Sequence, residues 1–221
     1  MLLLNPYAPW YTMPYTVLDT ETTGVGDHDR VIQLGLARFE QGKLVDSWST
    51  LIWADVEVPE ESTKIHGITT ADLASAPTFV EAIPHVIRLC RGAWPAAYNA
   101  SFDQRMFMAS MKRTALTQMH DIYNVIVFDP MVRWFDPLVW VRHIDRFVKG
   151  GNKLPQVCMR YGIELSKAHD ASSDAIAAGQ VLWHIRNEIG HMTATEMLRQ
   201  QQISHEGWEQ RMAGYFKRNG R

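Results

Sequence analysis

Apolar and polar positions divide the chain into a strand-rich opening and a helix-rich remainder. Tyr15, Thr16, Val17 and Leu18 are aromatic, β-branched or aliphatic, and residues 15–23 read as a short buried strand that delivers Asp19 and Glu21 at its C-terminal end. A turn rich in Gly24, Gly26, Asp27 and Asp29 follows. Residues 31–39 then alternate loosely, with Ile32, Leu34 and Leu36 set against Gln33, Gly35 and Ala37, as in a strand. Gln41-Gly42 is a hairpin turn, and residues 44–52 return as a third strand.

Helical spacing dominates what comes next. A connecting segment, residues 57–77, contains Ile65-His66-Gly67-Ile68-Thr69, and Thr69 or Thr70 caps a short helix through Leu73. Val80, Ile83, Val86, Ile87 and Cys90 mark a helix over residues 79–90, ended by Gly92. Residues 94–98 form a short apolar strand. Ser101 is a good N-cap for a helix running toward Leu116, with Asp103 in its first turn. Phe-Asp-Pro occurs twice, at 128–130 and 135–137, and one of the preceding apolar runs is a fifth strand, with residues 131–135 preferred. Helices over 138–147, 155–161 (closed by Gly162) and 171–189 follow, and Lys149, Gly150, Gly151, Asn152 and Lys153 make a basic loop. The expected organisation is an irregular extension over residues 1–14, a mixed five-stranded α/β domain over 15–190, and a separate helical tail over 191–221.

Composition narrows the class. A chain of 221 residues, 46% hydrophobic and 21% charged, suits one large soluble α/β domain with appendages. Cys90 and Cys158 lack a C-x-x-C spacing, which suggests neither zinc nor a disulfide framework and fits a reducing cytoplasm. The apolar start at residues 1–4 is halted by Asn5 and Pro6 without a basic segment before it, so it does not read as a signal peptide. No apolar run approaches the ~18 residues that span a bilayer. A net charge of −2 argues against an extended non-specific nucleic-acid binder, though not against a nuclease that grips a few nucleotides through metal ions.

The chemistry begins with Asp19 and Glu21. Residues two apart on a strand share a face, so the carboxylates are neighbours whose repulsion a divalent cation would relieve. Alone, the pair could be an exposed acidic strand end. Asp103, in Asn99-Ala-Ser-Phe-Asp103, could equally stabilise a helix dipole, worth about 0.3–1 kcal/mol. His169 and Asp174 converge on one point only if His169 lies in the loop before the helix; capping at Asp170 or Ser172 would explain that segment as well.

Taken in order, Asp19-x-Glu21, Asn99-x-x-x-Asp103 and His169-x-x-x-x-Asp174 resemble the motifs of the DEDDh 3′–5′ exonucleases, a family that includes the proofreading subunits of bacterial DNA polymerases. The resemblance runs from about Tyr15 to Asn187. Glu21-Thr-Thr-Gly24, the Ile65–Thr69 run, Asp136-Pro-Leu and the stretch from Leu154 through Tyr161-Gly162-Ile163 also match. A histidine five residues before the last Asp, rather than a tyrosine four before it, selects the His subgroup. One departure is Tyr98-Asn99-Ala100, where the family often has His-Asn-Ala; it flanks the site and would alter substrate fit, not chemistry.

What the resemblance implies is a ribonuclease H-like fold and a metal-dependent enzyme that releases nucleoside 5′-monophosphates from nucleic-acid 3′ ends, DNA favoured. It implies two Mg²⁺ (or Mn²⁺), with Asp19 bridging both, Glu21 and Asp174 completing one and Asp103 serving the other. His169 would be the general base toward water, since an imidazole ordinarily titrates near neutrality. Backbone around Thr20 and Thr22 would meet the 3′-hydroxyl, and His66, Asn99 and Phe102 would flank the last nucleotide. For Phe102, helix–sheet packing is an equal alternative. Arg142, Arg146, Lys149 and Lys153 are either phosphate contacts or a solvated face. Trp208, Met212, Tyr215 and Phe216 share one helix face that docks onto its own domain or onto a partner such as a DNA polymerase subunit. A free-standing exonuclease acting on RNA or single strands, or a catalytically silent interaction subunit on the same fold, are the alternatives; no membrane is involved.

Overall fold

The computed structural model describes residues 4–114 and 125–218, without the side chains of Phe216 and Arg218. The alternating segments form β1 (Tyr15–Thr22), β2 (Val31–Glu40) and β3 (Lys43–Leu51), an antiparallel meander. Gln41 and Gly42 both have positive φ, 51° and 77°, as the tight hairpin turn between β2 and β3 requires. A fourth strand, β4 (Trp94–Ala96), pairs in parallel with β1, so the sheet order is β3-β2-β1-β4. The helices are α1 (Glu60–His66), α2 (Phe79–Cys90), α3 (Ala100–Arg113), α4 (Pro137–Ile144), α5 (Leu154–Tyr161), α6 (Ala171–His184), α7 (Arg186–Ile189) and α8 (Ala194–Arg218).

Several expectations need correction. Among the described residues the sheet has four strands, not five. The preferred fifth segment is in the right place but contributes one residue. Phe135 bridges Ala96 in parallel, donating to the Pro95 carbonyl at 2.9 Å and accepting from the Ala97 amide at 3.0 Å. Pairing stops there because Asp136 already caps α4 and Pro137 occupies its first turn. The rival run, before the first Phe-Asp-Pro, is a single 3-10 turn, Ile126–Phe128. Helix α3 is capped at Asn99 rather than Ser101, and the end expected near Leu116 lies outside the described residues. Helix α4 stops at Ile144, short of the exposed Phe147, and the helix expected over 171–189 breaks at Ile185 into α6 and α7.

The sheet is covered on both faces. Leu18, Leu34 and Leu36 pack with α2 and α3 against Phe79, Val86 and Phe107. Tyr15, Val17, Ala37 and Phe39 pack on the other side with Val157 of α5 and with Ala175, Ala178, Val181 and Leu182 of α6. The positions expected opposite the apolar face of β2 are thus small rather than solvated. At Gly35 a Cβ would overlap the Ala171 carbonyl and the Ser172 amide, so the first turn of α6 lies directly on the strand. At Gly179 a Cβ would meet the Phe39 ring, which stacks on Tyr15 at 5.2 Å.

Both ends of the chain join this second layer. Trp10 is fully buried, donates its indole N–H to the Ile189 carbonyl at 3.2 Å and packs on Tyr15 and Phe135. Ala194 and Met197 of α8 belong to the same core, so the C-terminal helix starts inside the domain instead of standing apart. Among the described residues, no helix is long and apolar enough to cross a membrane.

Replacing Gly35 by Ala should destabilise the protein at the upper end of the roughly 1–3 kcal/mol typical of overpacking, because the obstruction is backbone. Denaturant unfolding of Gly35→Ala against wild type checks this; an unchanged midpoint would mean that α6 does not sit where described.

Candidate active site

Four elements meet at the C-terminal end of β1. Asp19 and Glu21 project from the strand on one face, two residues apart. Asp19 pairs across the ladder with Gly35, the residue on which α6 begins. Asp174, in the first turn of α6, is therefore carried to the same place, and only a residue without a side chain at 35 permits it. From the other face, α3 brings Asp103, whose Oδ1 accepts from the Thr20 amide at 3.0 Å and the Thr20 hydroxyl at 2.8 Å. Thr20 thereby positions a carboxylate, and its amide is committed to that task.

His169 stands in the loop before α6, with φ of 61° and its ring exposed. Its backbone N–H donates to Asp174 Oδ2 at 3.0 Å. Asp174 Oδ1 is buried with no hydrogen-bond partner among the described residues. One donor atom each from Glu21, His169 and Asp174 lie within 4.8 Å of one another, a spacing that can close around an ion. His66 is buried; its Nδ1 accepts from the Ile68 amide at 3.1 Å, while its Nε2 makes no hydrogen bond of good geometry among the described residues. Thr22 donates its hydroxyl to the Gly24 carbonyl at 2.7 Å. Asn99 lines a cleft of about 610 Å³ that reaches His169 and Asp174 past Tyr98, Asn152 and Lys153. Phe102 lies partly against the α2–α3 side of the core, with the Arg105 guanidinium 5.6 Å from its ring centre, so packing accounts for at least part of its role.

Charge defines the site. Among the described residues, no Lys or Arg pairs with Asp19, Glu21, Asp103 or Asp174. Burial first, then repulsion from Asp174 and Asp103, pushes Glu21 up to about 8. Asp19 is held well above the usual carboxylate range by burial and by the charges of Asp103, Asp174 and Glu21. Burial raises Asp103 to about 7 despite the two Thr20 hydrogen bonds, and raises Asp174 against the pull of the His169 amide. His66 is lowered by burial and, further, by the charge of His169. Clustered carboxylates without a counter-cation, one oxygen of them orphaned, are the donor chemistry of a hard divalent ion such as Mg²⁺ or Mn²⁺.

Two further acids belong to the site, neither of them among the predicted site residues. Asp170 reads as a cap and is one, accepting from the Ser173 amide at 3.2 Å, yet it also holds the Gln33 side chain and adds to the field on Asp19, Glu21 and Asp174. Asp136 is buried and accepts from the amides of Asn99, Ala100 and Leu138 at 2.9–3.0 Å. Asn99 has a left-handed φ of 73°, so Asp136 clamps the bend from which α3 presents Asp103. Asp136-Pro-Leu is the sequence signal that marks it.

Comparison with known proteins adds four findings. The family model described as "Exonuclease" matches residues 16–182. DNA polymerase III subunit epsilon of Treponema pallidum is 30% identical over 165 residues, 73% of this chain and 71% of that protein. A PolC-type DNA polymerase III of Clostridium perfringens is 26% identical over 82% of this chain, which spans only 12% of that relative's length. Among solved structures, exonuclease X in complex with 5′ overhanging duplex DNA aligns with TM-score 0.61 and 24% identity over 83% of this chain and 96% of that one. That likeness concerns the fold.

Two outcomes follow. The folded carboxylates bind protons more tightly than the unfolded chain does, so without metal, stability should fall as pH rises from about 5 towards 8, the range set by Glu21 at about 8. A divalent cation at about 100 times its Kd should restore about 5–10 °C in Tm near pH 8 and less near pH 5, where protons compete. Thermal melts with chelator or Mn²⁺ at both pH values test this, and equal metal gains would contradict it. Asp136→Ala leaves two buried amides unpaired and should cost about 1–3 kcal/mol or more, measurable by urea unfolding.

Proposed function

The chain belongs to the exonuclease family, whose members hydrolyse nucleic acids, and from that membership we propose that it is a metal-dependent 3′–5′ exonuclease releasing nucleoside 5′-monophosphates. The observation that carries this reading is the convergence of Asp19, Glu21, Asp103 and Asp174 beside His169, with no Lys or Arg paired to them among the described residues. Asp19, Glu21 and Asp174 would hold one Mg²⁺ or Mn²⁺, and Asp103 with Asp19 would serve a second. When bound, such ions neutralise the phosphate and make water more acidic.

The chain's own groups do the rest. Water attacks the terminal phosphorus, the P–O3′ bond breaks, and the penultimate 3′-oxygen leaves with a proton. His169 takes the proton of the attacking water; its exposed ring reaches the carboxylates while its amide is fixed by Asp174. Thr20 keeps Asp103 from swinging away. His66, the backbone around Thr22 that it interacts with, and the cleft wall at Asn99 would flank the terminal nucleotide, which would make the site specific for an end. Similarity to the Treponema epsilon subunit supports DNA as substrate and proofreading for a DNA polymerase as the setting.

His169→Ala should lower kcat by about 10²–10⁴ and change Mn²⁺ affinity much less, whereas Asp174→Ala should weaken both. Digestion of 5′-labelled DNA and RNA oligonucleotides, paired and mispaired, with Mg²⁺ or chelator, combined with Mn²⁺ titration calorimetry, checks the assignment. Chelator-resistant activity, or a ladder growing from the 5′ end, would refute it.

A further inference from the structure

A second cavity of about 610 Å³ lies between α4 and α8, and it shares Arg142 and Trp208 with the cleft beside His169 and Asp174. The two cavities thus adjoin through one stacked pair. The Arg142 guanidinium lies 3.8 Å above the Trp208 ring. Beyond them the lining continues with Arg146, Arg211, His143 and His205, and it includes no acidic residue. Among the described residues, none of Arg142, Arg146 and Arg211 pairs with a carboxylate. In a chain of net charge −2, three arginines along one groove with no carboxylate paired to them make a local positive field, although the lining imidazole of His205 lies 3.3 Å from Glu209. Helix α8 lies wholly beyond residue 182, where the family match ends.

We propose that this groove is the track for the single-stranded segment upstream of the 3′ end, with Arg142, Arg146 and Arg211 holding its phosphates and Trp208 stacking a base. The inference rests on the exonuclease reading and extends it, since α8 then contributes to substrate binding. The chemistry favours a polynucleotide over a protein. The groove is continuous with the catalytic cleft through Arg142 and Trp208, where a nucleic-acid strand would have to pass, and unpaired arginines beside an aromatic plane are what a backbone with stacked bases needs. Arg142 already covers one face of the indole, 3.8 Å from the ring centre, and the pair lines both the groove and the catalytic cleft.

The test uses the full chain and a 5′-fluorescein oligothymidylate long enough to fill both cavities, with anisotropy measured in chelator so that no cleavage occurs. Trp208→Ala should bind about tenfold more weakly, the low end for the removal of a base stack. Arg146→Gln/Arg211→Gln, at exposed positions that leave the fold intact, should reduce the slope of log affinity on log salt by about 0.7 for each phosphate no longer neutralised. Arg88→Gln, which removes a positive charge between α2 and β3, should leave both quantities unchanged. Wild-type affinity and salt slope in the groove variants would overturn the proposal. If those variants instead lose self-association or polymerase binding, the groove is a protein contact and the proposal is equally overturned. Failure of the parent reading looks different: the wild-type protein would release no nucleotide with Mg²⁺, whatever its groove residues.

Discussion

Everything in this molecule is arranged around a repulsion. Four carboxylates from three elements, Asp103 and Asp174 buried and Asp19 and Glu21 half-buried, face each other without a lysine or arginine among the described residues to balance them, and a fifth, Asp170, adds to the field. A fold gains nothing from such an arrangement for stability alone, since buried like charges must either take up protons or be separated. The surrounding structure instead holds them together. Thr20 grips Asp103 through two hydrogen bonds, the His169 amide grips Asp174, and Asp136 grips the bend before α3. Each grip uses a donor that fixes position without cancelling the charge, which keeps the pocket electronegative for a cation.

Bringing these acids together depends on close apolar packing a few ångströms away. The face of α6 that meets the sheet is made of Ala171, Ala175, Ala178 and Gly179, and the strand beneath it offers Gly35 and Ala37. Small residues on both sides let helix and strand backbones approach closely. Asp174 then arrives beside Asp19 instead of one side-chain length above it. The polar site and the dry interface are one construction, and widening the second would open the first.

How much of this was legible varied with the kind of signal. Local periodicity was clear: α2 runs over the residues its apolar spacing indicates, and Thr69 caps the short turn through Leu73. The side-by-side placement of Asp19 and Glu21 followed from strand geometry alone. Long-range convergence did not follow from any local rule; it came from recognising an ordered set of motifs. Backbone conformation was least visible. Asn99 is as good an N-cap as Ser101 and tolerates a left-handed φ, but the choice between them is made from 37 residues away by Asp136, which holds the Asn99 amide. The fifth strand was overestimated for a related reason. An apolar run such as 131–135 reports burial, and whether it pairs depends on the cap and proline that follow.

The C-terminal helix illustrates how an element beyond the family match can become part of the same machinery. Gln201, buried on α8, accepts the Asp136 amide at 2.8 Å and donates to the Trp134 carbonyl at 2.9 Å. It therefore satisfies two main-chain groups on the residues flanking Phe135, next to the carboxylate that clamps Asn99 and Ala100. Removing it would strand polar groups in the interior, a cost comparable to losing the carboxylate's own bonds. The first half of α8 is thus anchored through the bend that positions Asp103. Anchoring there fixes where the second half emerges, with Trp208 against Arg142 at the mouth of the cleft. Because Asp136 joins α8 to α3 through adjacent hydrogen bonds, a change at the tail's anchor should be felt at Asp103 and the carboxylates around it, and the groove and the carboxylate cluster are expected to respond as one unit.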